Sequence, residues 1–158
     1  MEKSLFSVIC AALLLLSSGP CPAGEDGKKA DSVVTLEKEE FKIKVDVPSE
    51  VKAGTQAKLN VTILPVSPYK INDVTKEGKK FPFKVKVAAD EGLSLDKTTF
   101  KRDDASEMSK QKVVFNIPFT AQSAGEFNVK LKVNLSVCKE GKCVFKMGVE
   151  VSAKVTSK

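Results

Sequence analysis

The chain has 158 residues, 42% hydrophobic and 29% charged, enough for one domain of ordinary size. It contains no histidine, no tryptophan and a single tyrosine, which excludes histidine general bases, His-ligated metals and Ser-His-Asp or Cys-His nucleophilic machinery. Its formal charge of +6 is compatible with nucleic acid, an anionic membrane or an acidic partner, and charge alone does not choose among them.

Residues 1–23 read as a secretory signal peptide. A short n-region with one lysine (MEKS) precedes an apolar run from Leu5 to Leu16 and then the small residues and prolines SSGPCPAG. The run is shorter than the roughly 20 residues a membrane-spanning helix needs. Cleavage after Ala23 places Cys21 and Ala23 in the two small-residue positions and starts the mature chain near Gly24. The alternative is lipidation of Cys21 after cleavage before it, although Ser18, Gly19 and Pro20 make a poor recognition box. No later apolar stretch is long enough to span a bilayer, so a soluble or N-terminally tethered protein is expected. Residues 24–31 (GEDGKKAD) form a polar, flexible lead-in.

From about Ser32 the chain alternates apolar and polar residues with period two, the mark of half-buried strands. FKIKVDV turns Phe41, Ile43, Val45 and Val47 inward, and TQAKLNVTI does so with Ala57, Leu59, Val61 and Ile63. FPFKVKV offers Phe81, Phe83, Val85 and Val87, and KVVFNIPF offers Val113, Phe115, Ile117 and Phe119. The longest run, EFNVKLKVNLSV, alternates from Phe127 to Val137; CVFKMGVEVSAKV then presents Phe145, Met147, Val149, Val151 and Val155. Met147 is read as core filler. Turn signals at 48–54, 65–68, 77–80, 90–92, 121–125 and 139–141 separate the runs. The expected fold is all-β, an immunoglobulin-like antiparallel sandwich of about seven strands over residues 32–158. The polar stretch 101–110 (KRDDASEMSK) is expected as a mobile loop.

Lys42, Lys44, Lys84, Lys86, Lys130, Lys132, Lys146 and Lys154 hold the outward phase of their strands, where they solubilise the sheets and discourage edge pairing. Aromatic residues are not interleaved with them, so nucleic acid is not an expected partner. The sequons at Asn60 and Asn134 matter only in a eukaryotic secretory route and are read as chance matches.

Chemistry concentrates in VCKEGKCVF. With Cys10 and Cys21 in or at the end of the leader, Cys138 and Cys143 are the remaining thiol pair, and an oxidising compartment makes them a disulfide. Three readings compete: an inert structural bond, an exchangeable redox pair, and a soft-metal site with Met147 as third ligand. So short a loop gains little stability from closure, and Lys139 and Lys142 favour a thiolate while Glu140 opposes them. Strict alternation puts Cys138 outward and Cys143 inward with Phe145 and Met147. A three-residue loop 139–141 would therefore oppose Val137 to Cys143, and the bond requires a bulge or early strand end at the hairpin tip.

The stretch from Pro68 to Val155, with PYKIN, FPFKVKVAADEGLSL and VVFNIPFTAQSAGEFNVKLKVNLSVCKEGKCVF, resembles the N-terminal periplasmic domain of the thiol:disulfide interchange protein family DsbD. It is also similar to stand-alone exported domains of that family in Gram-negative bacteria. The resemblance implies an immunoglobulin-like domain in the periplasm whose hairpin cysteines, here Cys138 and Cys143, pass electrons to or from a thioredoxin-like partner, with no cofactor. It mildly favours Cys143 as the attacked sulfur. Better-known members have five residues between the cysteines and Tyr-Pro after the second, whereas this chain has four residues there and Val144-Phe145 following. Their aromatic cap over the pair corresponds to residues 100–110, where this chain offers Phe100 and Met108, read here as strand-end packing, as Tyr69 is read as an edge or core residue. The competing expectation is a non-catalytic module of the cell envelope whose disulfide only pins a hairpin.

Overall fold

A computed structural model describes residues 32–73, 78–79 and 81–158. The expected leader, lead-in and lipidation site, and residues 77 and 80 of the turn at 77–80, lie outside the described residues.

Eleven strands follow in chain order: β1 (Ser32–Glu37), β2 (Phe41–Val47), β3 (Gln56–Pro65), β4 (Lys70–Ile71), β5 (Lys84–Ala89), β6 (Leu93–Ser94), β7 (Thr99–Lys101), β8 (Glu107–Met108), β9 (Val113–Ala121), β10 (Gly125–Lys139) and β11 (Lys142–Ser157). Seven of them have six or more residues, as the alternating runs predict. They form two antiparallel sheets. Sheet A has the order β1-β2-β3-β9-β6 with β8 also on β9; sheet B has the order β11-β10-β5-β7 with β4 also on β10. The two make an immunoglobulin-like sandwich. Among the described residues, no helix is long and apolar enough to cross a membrane.

The core is the sum of the inward phases. Phe41, Ile43, Val45 and Val47 of β2, Leu59, Val61 and Ile63 of β3, and every second residue of β9 from Val113 to Ala121 are buried. Sheet B meets them with Val85, Val87, the odd-numbered residues of β10 from Phe127 to Val137, and Val151, Ala153 and Val155 of β11. Each fully buried Val, Ile, Leu or Phe contributes about 1.5–3 kcal/mol relative to exposure. Pro118 falls within β9 between the short partners β8 and β6. One edge of β9 has no strand partner there, so a residue without an N–H is tolerated.

Two expectations are corrected. Phe81 and Phe83 are buried as their pattern predicts, yet they precede the strand, because Pro82 between them has no N–H to give a ladder and β5 starts at Lys84. The polar stretch 101–110 is built from the end of β7, a 3-10 turn at Arg102–Asp104 and β8. Asp104 fixes that turn by accepting from the Lys101 backbone N–H at 2.7 Å and from Lys97 at 2.6 Å, which holds its carboxyl below the usual carboxylate range.

Candidate functional site

β10 and β11 form one long hairpin, and the two cysteines sit one pair below its tip. Lys139 pairs with Lys142 across the two-residue turn Glu140-Gly141, with Gly141 at φ +70°. Cys138 lies directly opposite Cys143 with 4.0 Å between the Cα atoms, and the sulfurs are bonded at 1.96 Å. The expected three-residue loop opposing Val137 to Cys143 is therefore not formed; Val137 faces Val144.

The extra residue is absorbed farther down the hairpin than expected. Val133 pairs with Val149, but Leu135 pairs with Lys146, so Met147 and Gly148 together oppose Asn134. Gly148 takes φ +68° and donates its N–H to Asn134 Oδ1 at 2.9 Å, which closes the bulge. One inserted residue reverses the facing of everything beyond it. On one side of the bulge Val151, Ala153 and Val155 turn to the core; on the other Val144 does, and Cys143 and Phe145 move to the face of Cys138. Met147, expected in the core, is 64% exposed because it is the residue the bulge expels. The Asn134 sequon has a structural use: Asn134 caps the bulge, and Ser136 is buried and accepts from Asn72 Nδ2 at 3.2 Å.

Cys143 is exposed and Cys138 half-buried. Lys70 of β4 lies opposite Cys138 on its other side, and Lys139 and Lys142 form the next pair toward the tip. Glu140 is the acidic residue of the turn. Alternation turns Lys139 and Lys142 to the other face of the hairpin and leaves Lys70 on the face of the pair, where a cation favours a thiolate over a thiol. Lys139 Nζ stands 5.0 Å from the Tyr69 ring centroid, so Tyr69, half-buried against the core edge, also orients the hairpin. Below the disulfide the Phe145 ring rests on Phe81 at 5.5 Å, and Phe81 meets Phe83 edge-on at 5.2 Å.

Residues 100–110 support this end of sheet B from the side. Phe100 is buried opposite Val85 in the middle of β7, and Met108 packs opposite Val113 at the end of β8. The Ile71 N–H donates to the Lys110 carbonyl at 2.8 Å, and Arg102 pairs with Asp73 at 2.7 Å. Both contacts brace the segment that carries Lys70 and Asn72 to β10. Sequence reasoning did not connect Lys70, Asn72 or Tyr69 with the cysteines, since their approach depends on β4 joining the edge of β10 beyond the end of β5. Among the described residues no group of three or more His, Cys, Asp or Glu side chains is placed to hold a metal ion.

No family model matches the chain, and no curated protein matches it. Solved structures with some likeness include native alpha-2-macroglobulin from Escherichia coli, from domain MG7 to its C-terminus (14% identity, 84% of this chain, 17% of that one, TM-score 0.43). Others are domains 4 and 5 of the S-layer protein SbsC (17% identity, 80% and 53% covered, TM-score 0.37) and the GAE domain of GGA2p from Saccharomyces cerevisiae (14% identity, 79% and 96% covered, TM-score 0.44). The chain thus spans about a sixth of the first structure and about half of the second.

Proposed function

We propose that this is an exported thiol-disulfide exchange domain, periplasmic like the DsbD N-terminal domain that its sequence resembles, and that Cys138 and Cys143 relay electrons to or from a thioredoxin-like partner. The observation that carries the reading is the asymmetry of the pair: an exposed Cys143 bonded to a half-buried Cys138 at the end of a sheet, with Lys70 opposite Cys138 on the same face. A partner thiolate attacks Cys143 Sγ, forming a mixed disulfide and releasing Cys138 as thiolate, with Lys70 the cation on its face. The partner's second thiolate then attacks its own sulfur of the mixed disulfide and releases Cys143, so two electrons pass to this domain. The reverse sequence delivers them to an oxidised target, with Cys138 resolving the mixed disulfide.

The long β10–β11 ladder already fixes the hairpin, so a bond closing a separation of five residues adds little to its positioning. The test is the reduction potential of the pair in glutathione buffers. Exchange predicts a value between about −120 and −270 mV. A value below about −300 mV marks an inert staple and replaces this reading with that of an envelope module.

A further inference from the structure

Sheet B places lysine directly opposite lysine on its outer face: Lys84 opposite Lys101, and Lys86 opposite Lys132. Like charges in directly opposed positions destabilise an antiparallel pair. Solubility does not explain the arrangement, because sheet A achieves it otherwise. There Lys42 lies opposite Glu37 and Leu64, Lys44 opposite Thr35 and Thr62, and Lys58 opposite Pro118. On sheet B, Lys132 is paired with Glu150 at 2.8 Å, while Lys84, Lys86, Lys101 and Lys130 have no carboxylate at ion-pair distance among the described residues.

These lysines share a face with the disulfide. Alternation along β10 puts Lys130, Lys132, Asn134, Ser136 and Cys138 on one side, and Lys84 lies opposite Asn134. At about 3.4 Å per residue, the lysine rows begin roughly 14 Å from Cys138 and extend to roughly 27 Å. A standard interface of about 800 Å² per partner is roughly 30 Å across. A partner whose footprint has Cys143 near one rim and extends along β10 therefore covers them. Phe81, Pro82 and Phe83 with Lys84, Lys101, Arg102 and Asp103 line a cleft of about 280 Å³, an apolar centre whose rim carries three basic residues and one acidic one.

We propose that the outer face of sheet B, from the disulfide hairpin to Lys130, is the docking surface for the exchange partner, and that this partner presents an acidic face around its reactive cysteine. The proposal rests on the exchange reading above and adds the partner's chemistry to it. The field of the lysine rows steers an acidic partner onto the face and disfavours a basic one.

The test uses two short peptides, each with one central cysteine held as a mixed disulfide with 2-thiopyridine, one flanked by glutamates and one by lysines. Cys143 of the reduced domain attacks the peptide sulfur and 2-thiopyridone leaves; Cys138 then attacks Cys143 Sγ, releases the peptide thiol and restores the intramolecular disulfide. The glutamate peptide is expected to react at least about tenfold faster at low salt, with the gap closing near 0.5 M salt. K84Q/K86Q/K130Q removes most of that advantage, and K42Q/K44Q/K58Q, with the same change of charge on sheet A, keeps it. Equal rates for the two peptides, or equal losses in the two variants, overturn the proposal. Uncharged 2-hydroxyethyl disulfide serves as reference and reacts alike with all three proteins. Its failure to react with any of them overturns the exchange reading instead. In that event a glutamate peptide with serine for cysteine is titrated onto the oxidised domain: amide shifts on β5 and β10 support the docking face, and their absence overturns it.

Discussion

Removing the disulfide should cost this domain about 2 kcal/mol and leave it folded. The cysteines are separated by five residues, and chain-entropy closure of so small a loop amounts to roughly 7 cal/mol/K, or ~2 kcal/mol at 25 °C, against ~4.7 for a 100-residue loop. For a domain of this length the midpoint falls by about 4 °C per kcal/mol, so C138S/C143S should melt roughly 8 °C lower than the oxidised protein. The thermodynamic cycle fixes a second quantity: native structure stabilises the bond by the same ~2 kcal/mol, which lowers its potential by only about 40 mV relative to the same thiols in the unfolded chain. Urea unfolding of the oxidised, reduced and C138S/C143S proteins, followed by far-UV circular dichroism because the chain has no tryptophan, measures the first quantity. Tyr69 beside Lys139 supplies a local probe of the hairpin tip. A loss above about 4 kcal/mol, or a reduced protein that does not fold, would refute the reasoning and make the bond a staple.

Three further outcomes are expected. Gly92, at φ +99°, has the position of a Cβ only 2.5 Å from Phe127 Cε1, whereas Gly54, at φ +78°, has open space; G54A should cost about 1–2 kcal/mol in urea unfolding, for the left-handed backbone alone, and G92A a further ~1–3 for displacing Phe127. Asp90 accepts from the backbone and side-chain nitrogens of Asn128 at 2.8 and 2.7 Å, bonds that hold its carboxyl below 3.8. A depressed folded value means stability present above pH 3.8 and lost as pH falls through the folded value, so a carboxyl NMR titration should place Asp90 below its unfolded value and D90N should be less sensitive to acid over that window. M147Q should change stability by less than about 0.5 kcal/mol, and peroxide should oxidise Met147 before the half-buried Met108, as read by peptide mass spectrometry; a core methionine would behave oppositely.

Period two in FKIKVDV, QAKLNVTI, VVFNIPF and the residues from Phe127 to Val137 determined by itself that this chain forms strands with one dry face, and which residues supply the core. The spacing of Cys138 and Cys143 around a glycine turn likewise placed the two sulfurs near each other before any coordinates. Local pattern suffices there because alternation and turn closure are properties of neighbouring residues. Where one extra residue enters the ladder is a different matter. Asn134 and Gly148 form the bulge because cross-strand pairing fixes β11 against β10 over its whole length, and no alternation within β11 alone reports that. That some irregularity must bring Cys143 to the face of Cys138 was legible from the alternation; its place at Asn134, and with it the expelled Met147, was not. The same holds for Lys70 at the disulfide and for lysine facing lysine across β7, β5 and β10. Sequence assigns a side chain to the outside of a strand, but strand order and register, which are tertiary, decide what stands opposite it.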